Sequence, residues 1–110
     1  MHEMSIAQGI IDTIQPYATS KIKKIRMRIG KLTEVMPDSL LFSFDVIRHG
    51  TPAEDAELEI ELVPVRGGCR KCHAEFELER FVFVCPECKS NEVDMLAGNE
   101  LEVVELELEE

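Results

Sequence analysis

The sequence is short of positive charge. Twelve Lys and Arg stand against 22 Asp and Glu, for a formal net charge of −10. Proteins that grip nucleic acid need cations for its phosphates, so this balance argues against that class. Aromatic residues make up only 5% of the chain, and no basic, aromatic-rich patch offers a stacking surface for bases. No apolar run approaches the roughly 18–20 residues that would span a bilayer. The start lacks a charged segment followed by an apolar stretch, which predicts no secretory signal and a cytoplasmic setting. No nucleophile–base constellation or phosphate-cradling glycine loop appears, so the chain does not read as an enzyme. Cysteine is limited to four residues. In a reducing compartment these read as metal ligands rather than disulfides.

What remains is an ordinary globular composition, 45% apolar over 110 residues. That length holds one small domain, or a core plus a stapled subdomain. The charge is unevenly spread. Residues 1–31 carry six Lys/Arg against Glu3 and Asp12, a balance of +4, and residues 32–65 carry one Arg against eight acids, −7. Residues 66–96 come to −1, and residues 97–110 carry six Glu and no cation. Such acidity favours solubility and a basic protein partner.

Ala7, Ile10, Ile11 and Ile14 recur at helical spacing. Pro16 should kink or end that helix, because it lacks an N–H and would clash with the Asp12 carbonyl. In KKIRMRIG, Ile25, Met27 and Ile29 alternate with Lys24, Arg26 and Arg28, which predicts a half-buried strand with a basic outer face. VMPDSLLFSFDVIRHG reads as a second helix. Pro37 and Asp38 suit its first turn, and Leu40, Leu41, Phe44 and Ile47 form its expected buried stripe. AELEIELV is a second strand, with Leu58, Ile60 and Leu62 inward and Glu57, Glu59 and Glu61 outward. LEVVELELEE is a third, and its double Val103-Val104 predicts a bulge or twist. The strand–helix–strand unit implies a parallel pair, and the last strand should return antiparallel. Two glutamate-lined strands would repel if adjacent, so the basic first strand should lie between them. The expected fold is α+β: a small mixed three-stranded sheet with two helices, and a zinc-ribbon-like four-cysteine hairpin subdomain inserted before the last strand.

That insertion holds Cys69-x2-Cys72 and Cys85-x2-Cys88. A two-residue spacer lets two thiolates reach one ion from a tight turn, and two such turns supply a tetrahedral site. FELERFVFV offers hairpin material between them, and Gly67-Gly68 and Gly98 on the flanks permit a hinge. Structural zinc is the leading assignment. Cys69-Arg70-Lys71-Cys72-His73 also matches the haem-attachment pattern, which leaves Cys85 and Cys88 idle. A redox dithiol and a rubredoxin-like iron site are further alternatives. His73 reads as an exposed neighbour of the site or a group that tunes it. A site closed by four thiolates does no chemistry of its own, so the function has to lie elsewhere.

The amino terminus offers one candidate. His2 is too large for methionine removal, so Met1 is expected to stay. The α-amine and the His2 amide nitrogen would close a five-membered ring on a metal. The same amide and His2 Nδ1 would close a six-membered one. The Glu3 amide and carboxylate are candidate further donors. A planar nitrogen set of this kind suits Ni(II) or Cu(II) rather than zinc. The bland alternative is a solvated end with no role.

Taken together, MHEMSIAQGI, the strand ending IG, PDSLLFSFD, CRKC, CPEC and GNELEVVELE resemble the HypA family of nickel-incorporation proteins over the whole chain. The resemblance implies a metallochaperone that binds Ni(II) at Met1, His2 and Glu3, with Asp38 near the nickel. It implies structural Zn(II) on Cys69, Cys72, Cys85 and Cys88. It implies delivery to the [NiFe]-hydrogenase large subunit with a HypB-type GTPase and, for some members, work with urease accessory proteins. Residues 1–65, completed by 97–110, would form the nickel-binding domain and residues 66–96 the zinc subdomain. His49, at the end of the second helix, reads as a water-facing residue. The contrasting reading is a zinc-ribbon module for protein or nucleic-acid interaction without nickel transfer, and the −10 charge weighs against its nucleic-acid form.

Overall fold

The computed structural model describes residues 3–79 and 82–109. Helix α1 runs Glu3–Ile14 and passes into a 3-10 turn, Gln15–Tyr17, at Pro16. The α-helix thus stops just before the proline that cannot donate to it. Strand β1 follows, Ile22–Gly30, then a 3-10 turn and helix α2, Pro37–Ile47. Proline opens α2, where its missing N–H costs nothing, and Asp38 sits in the first turn against the positive end of the helix dipole. Strands β2 (Glu57–Val63), β3 (Arg66–Cys69), β4 (Glu75–Glu77), β5 (Val93–Ala97) and β6 (Leu101–Leu108) complete the chain.

The residues form two compact units. One takes in the chain up to Arg28, then Val35–Glu61 and the chain from Glu102 onward. The other takes in Ile29–Glu34 and Leu62–Leu101.

In the first unit the sheet order is β2–β1–β6. The basic strand is therefore central, as the charges require. Lys24 and Arg26 reach Glu59 and Arg28 reaches Glu61, so partners climb together along β1 and β2. Lys23 reaches Glu107 and Arg28 reaches Glu102, so partners run in opposite senses along β1 and β6. The sheet is mixed, parallel on one side and antiparallel on the other. Along β6 the half-buried positions are Val103, Leu106 and Leu108, a step of three and then of two. That phase slip falls at the double valine.

Ala7, Ile10, Ile11 and Ile14 of α1 are buried, as are Leu40 and Phe44 of α2 and Ile22, Ile25 and Met27 of β1. Two expectations fail here. Leu41 is exposed and Ser43 is buried in its place, so the buried stripe of α2 lies one position round from the one expected. Leu62 is also exposed, although Leu58 is buried and Ile60 half-buried.

In the second unit β3 is central, with β4 and β5 antiparallel on either side. The expected hairpin within FELERFVFV does not form among the described residues; only Phe76 and Glu77 of it, at the end of β4, are strand. Gly67 and Gly68 are not a free joint either, since both pair with β4 and β5. A Cβ on Gly67 would stand 2.7 Å from Val93 and 2.9 Å from Leu78. Glycine is needed there to let side chains cross the sheet closely. Ile29, Val63, Val65, Cys69, Leu78 and Cys85 are buried in this unit. So short a list of apolar residues leaves it dependent on another source of stability.

Candidate metal centre

Cys69 ends β3, and Cys72 follows in the turn that returns the chain toward β4. Cys85 and Cys88 bracket a second turn before β5. The two turns are built alike. The Cys69 N–H donates to the Ala74 carbonyl and the His73 N–H to the Cys69 carbonyl. In the second turn the Cys85 N–H donates to Ser90 and the Lys89 N–H to Cys85. His73 and Lys89, each just after the second cysteine, adopt left-handed backbone with φ of 64° and 63°. This reversal closes each turn around its first cysteine.

The four Sγ atoms lie within 4.8 Å of one another. Two approaches join one turn to the other: Cys69 to Cys88 at 3.6 Å and Cys72 to Cys85 at 3.5 Å. Four sulfurs about 2.3 Å from a zinc ion stand about 3.8 Å apart, so the cluster fits a tetrahedral ion at its centre. Backbone N–H groups complete the fit. Lys71 and Cys72 both donate to the Cys69 sulfur at 3.4 Å, and Cys88 donates to Cys85 at 3.5 Å. Such donors favour thiolate, the form that binds metal.

The thiol acidities divide accordingly. The Cys72 N–H, then that of Lys71 with the neighbouring Cys88 and Cys72 thiols, draws Cys69 down to about 7 against burial. Cys85 is lowered, first by the Cys88 N–H. At Cys72 the Ala74 N–H pulls down, but the Cys85 thiol, burial and the other two cysteines outweigh it and hold the group up at about 12. Cys88 is raised; the Ser90 N–H pulls down, but burial and the Cys69 and Cys85 thiols prevail.

The convergence of all four sulfurs gives Cys85 and Cys88 the use that a haem or dithiol reading denies them. His73 is exposed, and its left-handed backbone and its N–H to the Cys69 carbonyl close the first turn. The pairing of N–H donors with sulfur was not read from the sequence. The signal was there: both motifs continue past the second cysteine into a residue that must turn left-handed.

The nickel residues are placed unevenly. Met1 and His2 lie outside the described residues. Glu3 is half-buried at the start of α1, and its Oε2 accepts the Met36 N–H at 3.4 Å. That contact brings the Glu3 side chain to the beginning of α2, whose exposed Asp38 lies two residues on. His49 is exposed beyond the end of α2. Among the described residues no helix is long and apolar enough to cross a membrane.

Comparison with known proteins bears on the function. The family model described as "Hydrogenase/urease nickel incorporation, metallochaperone, hypA" matches residues 1–108. The chain is 39% identical over 114 residues to the hydrogenase maturation factor HypA of Desulfitobacterium hafniense, with 100% of both covered. It is 42% identical over 111 residues to the HypA of a Nostoc species, covering 100% of this chain and 97% of the relative. The solution structure of the Ni metallochaperone HypA from Helicobacter pylori matches its fold with a TM-score of 0.70 at 26% identity, covering 98% of this chain and 97% of that one.

Proposed function

Because this chain belongs to the HypA family of hydrogenase maturation factors and nickel metallochaperones, we propose that it binds Ni(II) at its amino terminus and delivers it to a client enzyme. The ligands are the Met1 amine, the His2 amide and Nδ1, and the Glu3 amide, with Asp38 beside them. The observation that carries this reading is the Glu3–Met36 hydrogen bond, which ties the residue after His2 to the start of the helix bearing Asp38. The amine and imidazole both shed protons to bind, at unperturbed pKa values of about 7.7–8 and about 6.5, so nickel is held at neutral pH and released in mild acid. Nickel is cargo here, exchanged as the client's ligands displace those of the terminus. The protein carries an ion and does no bond-making.

Cys69, Cys72, Cys85 and Cys88 hold Zn(II). When bound, the ion supplies folding energy to a unit with a thin apolar core. The nickel function belongs to residues 1–65 with 97–110, and the zinc function to residues 66–96. The partners are a HypB-type GTPase and the large subunit of a [NiFe]-hydrogenase, in the cytoplasm. Urease accessory proteins are a second set, in keeping with the description of the family model.

The test is nickel titration at neutral pH. Native protein is compared with His2→Ala and with protein carrying one extra residue before Met1. Both changes should weaken nickel at least about tenfold, as expected on losing chelate donors, while one zinc is retained. Unchanged nickel affinity in both would remove the amino-terminal site.

A further inference from the structure

The free edge of β6 is unexplained by either metal site. Among the described residues, in the order β2–β1–β6, it has a strand neighbour on one side only. The Glu109 N–H just beyond β6 donates to the Lys21 carbonyl on the β1 side. By alternation the backbone groups of Leu106 and Leu108 turn the other way. A groove of about 430 Å³ lies along β6, lined also by Thr13, Ile14 and Tyr17. Four successive residues, Val103 to Leu106, line it and no residue of β1 does. Residues that face either side of β6 therefore border it, which fits a groove along the edge of the sheet. Its apolar lining is open: Tyr17 is 67% exposed and Val104 51%.

The charges specify what fits. Arg26 is shared between Glu59 at 3.2 Å and Glu105 at 3.1 Å. Arg28 is shared between Glu61 at 3.6 Å and Glu102 at 3.5 Å. Arg26 and Arg28 are thus divided between two acidic strands, and among the described residues only Lys23, 3.7 Å from Glu107, serves β6 alone, so the outer row of β6 keeps an excess of acid. A second copy of this chain would set glutamate against glutamate at that edge, which disfavours self-pairing. The pattern that satisfies a glutamate-lined strand in this sheet is that of β1, apolar on one face and Lys or Arg on the other.

We infer that the edge of β6 receives an extended segment of a partner protein in which apolar residues alternate with Lys or Arg, added as a fourth strand. Its backbone pairs with Leu106 and Leu108. Its apolar side chains enter the groove beside Ile14 and Tyr17, and its cations face Glu105 and Glu107. Main-chain bonds give such additions their affinity and the alternate side chains give them their specificity.

The experiment uses full-length, zinc-loaded, 15N-labelled protein and the peptide KIKKIRMRIG, which copies residues 21–30. Two control peptides have every Lys and Arg replaced by Glu, or the same composition with the alternation scrambled. Expected are amide shifts confined to Thr13–Tyr17 and Val103–Leu108, slowed hydrogen exchange at Leu106 and Leu108, and no binding of the Glu peptide. Tyr17→Ala and Glu105→Lys should each weaken binding by about twofold to fivefold, within the range of cross-strand pair energies. Three outcomes would overturn the inference: no shifts, equal binding of the scrambled peptide, or shifts spread over β1 and β2 as in strand exchange. Nickel titration of Tyr17→Ala separates this result from the nickel reading, because Tyr17 is no part of that site.

Discussion

A Cβ on Gly30 would stand 2.0 Å from the carbonyl oxygen of Gly98. The two glycines sit where backbones pass each other almost in contact. The Gly30 N–H donates to the Glu100 carbonyl and the Leu32 N–H to Gly98 itself. Gly30→Ala should therefore cost about 2–4 kcal/mol, since backbone must move to admit the methyl group. Gly98→Ala should be comparable, because φ is 124° there and Val65 already lies 2.7 Å from the added carbon. Gly50→Ala is the control, with φ of 77° but nothing within 4 Å, and should cost only about 1 kcal/mol. Urea midpoints at constant slope would show the ranking. Equal costs at all three positions would mean the close approach is not real.

Charge reversal at the centre of the sheet gives a second test. Arg26 is half exposed and paired on both sides. Exposed pairs are worth at most about 1 kcal/mol each after screening. Arg26→Glu exchanges two weak attractions for two repulsions and should destabilise by about 1–2 kcal/mol. About 1 M salt should recover much of the loss, because the repulsions are open to screening. Thermal unfolding at low and high salt measures both. A loss that salt leaves untouched would point to packing instead.

This strand also shows what the sequence made legible. Alternation of Lys24, Arg26 and Arg28 with Ile25 and Met27 revealed a strand, and the glutamates of its neighbours revealed its central place. Pro16 marked the end of α1 because a missing N–H is a local fact. The four-cysteine cluster was equally local, two spacers of fixed length. Leu41 and Leu62 misled because their exposure depends on what lies opposite them, which periodicity does not contain. Gly67-Gly68 looked like a joint and is the middle of a sheet; the close crossing of Val93 and Leu78 is a tertiary fact. The placement of β5 beside β3 was not read at all, because half of β3 is glycine and it has no strand signal.

Proton release on zinc binding should report the divided thiols. At pH 8 in metal-free protein Cys69, at about 7, is thiolate, while Cys72, at about 12, keeps its proton. Cys85 is lowered, first by the Cys88 N–H, and Cys88 is raised by burial and the Cys69 and Cys85 thiols. Zinc needs four thiolates, so uptake at pH 8 should release fewer protons than the roughly three to three and a half expected of four thiols at the ordinary value of about 8.5–9. As pH falls through 7, Cys69 takes up its proton, release rises toward four, and zinc affinity drops. Calorimetry in two buffers of different ionisation enthalpy counts the protons. A count at or above that expected of ordinary thiols at pH 8 would show that the N–H donors do not lower the thiols.

His73 provides the sharpest test of which groups make the zinc site. If its imidazole were a ligand or tuned the metal, removing it would cost about 10–100-fold in affinity. The geometry assigns it a different part. Its left-handed φ of 64° and its N–H to the Cys69 carbonyl close the turn, and Lys89 does the same in the second turn with no ring at all. Glycine adopts that backbone without the strain of a Cβ. His73→Gly should then keep zinc affinity within about twofold and change stability by no more than about 1 kcal/mol, in either direction. Lys89→Gly should behave alike, whereas His73→Val, β-branched and ill suited to positive φ, should weaken zinc in a way that Lys89→Val reproduces. Competition with a chromogenic chelator gives the affinities. Loss of zinc in His73→Gly but not in Lys89→Gly would show that the imidazole matters.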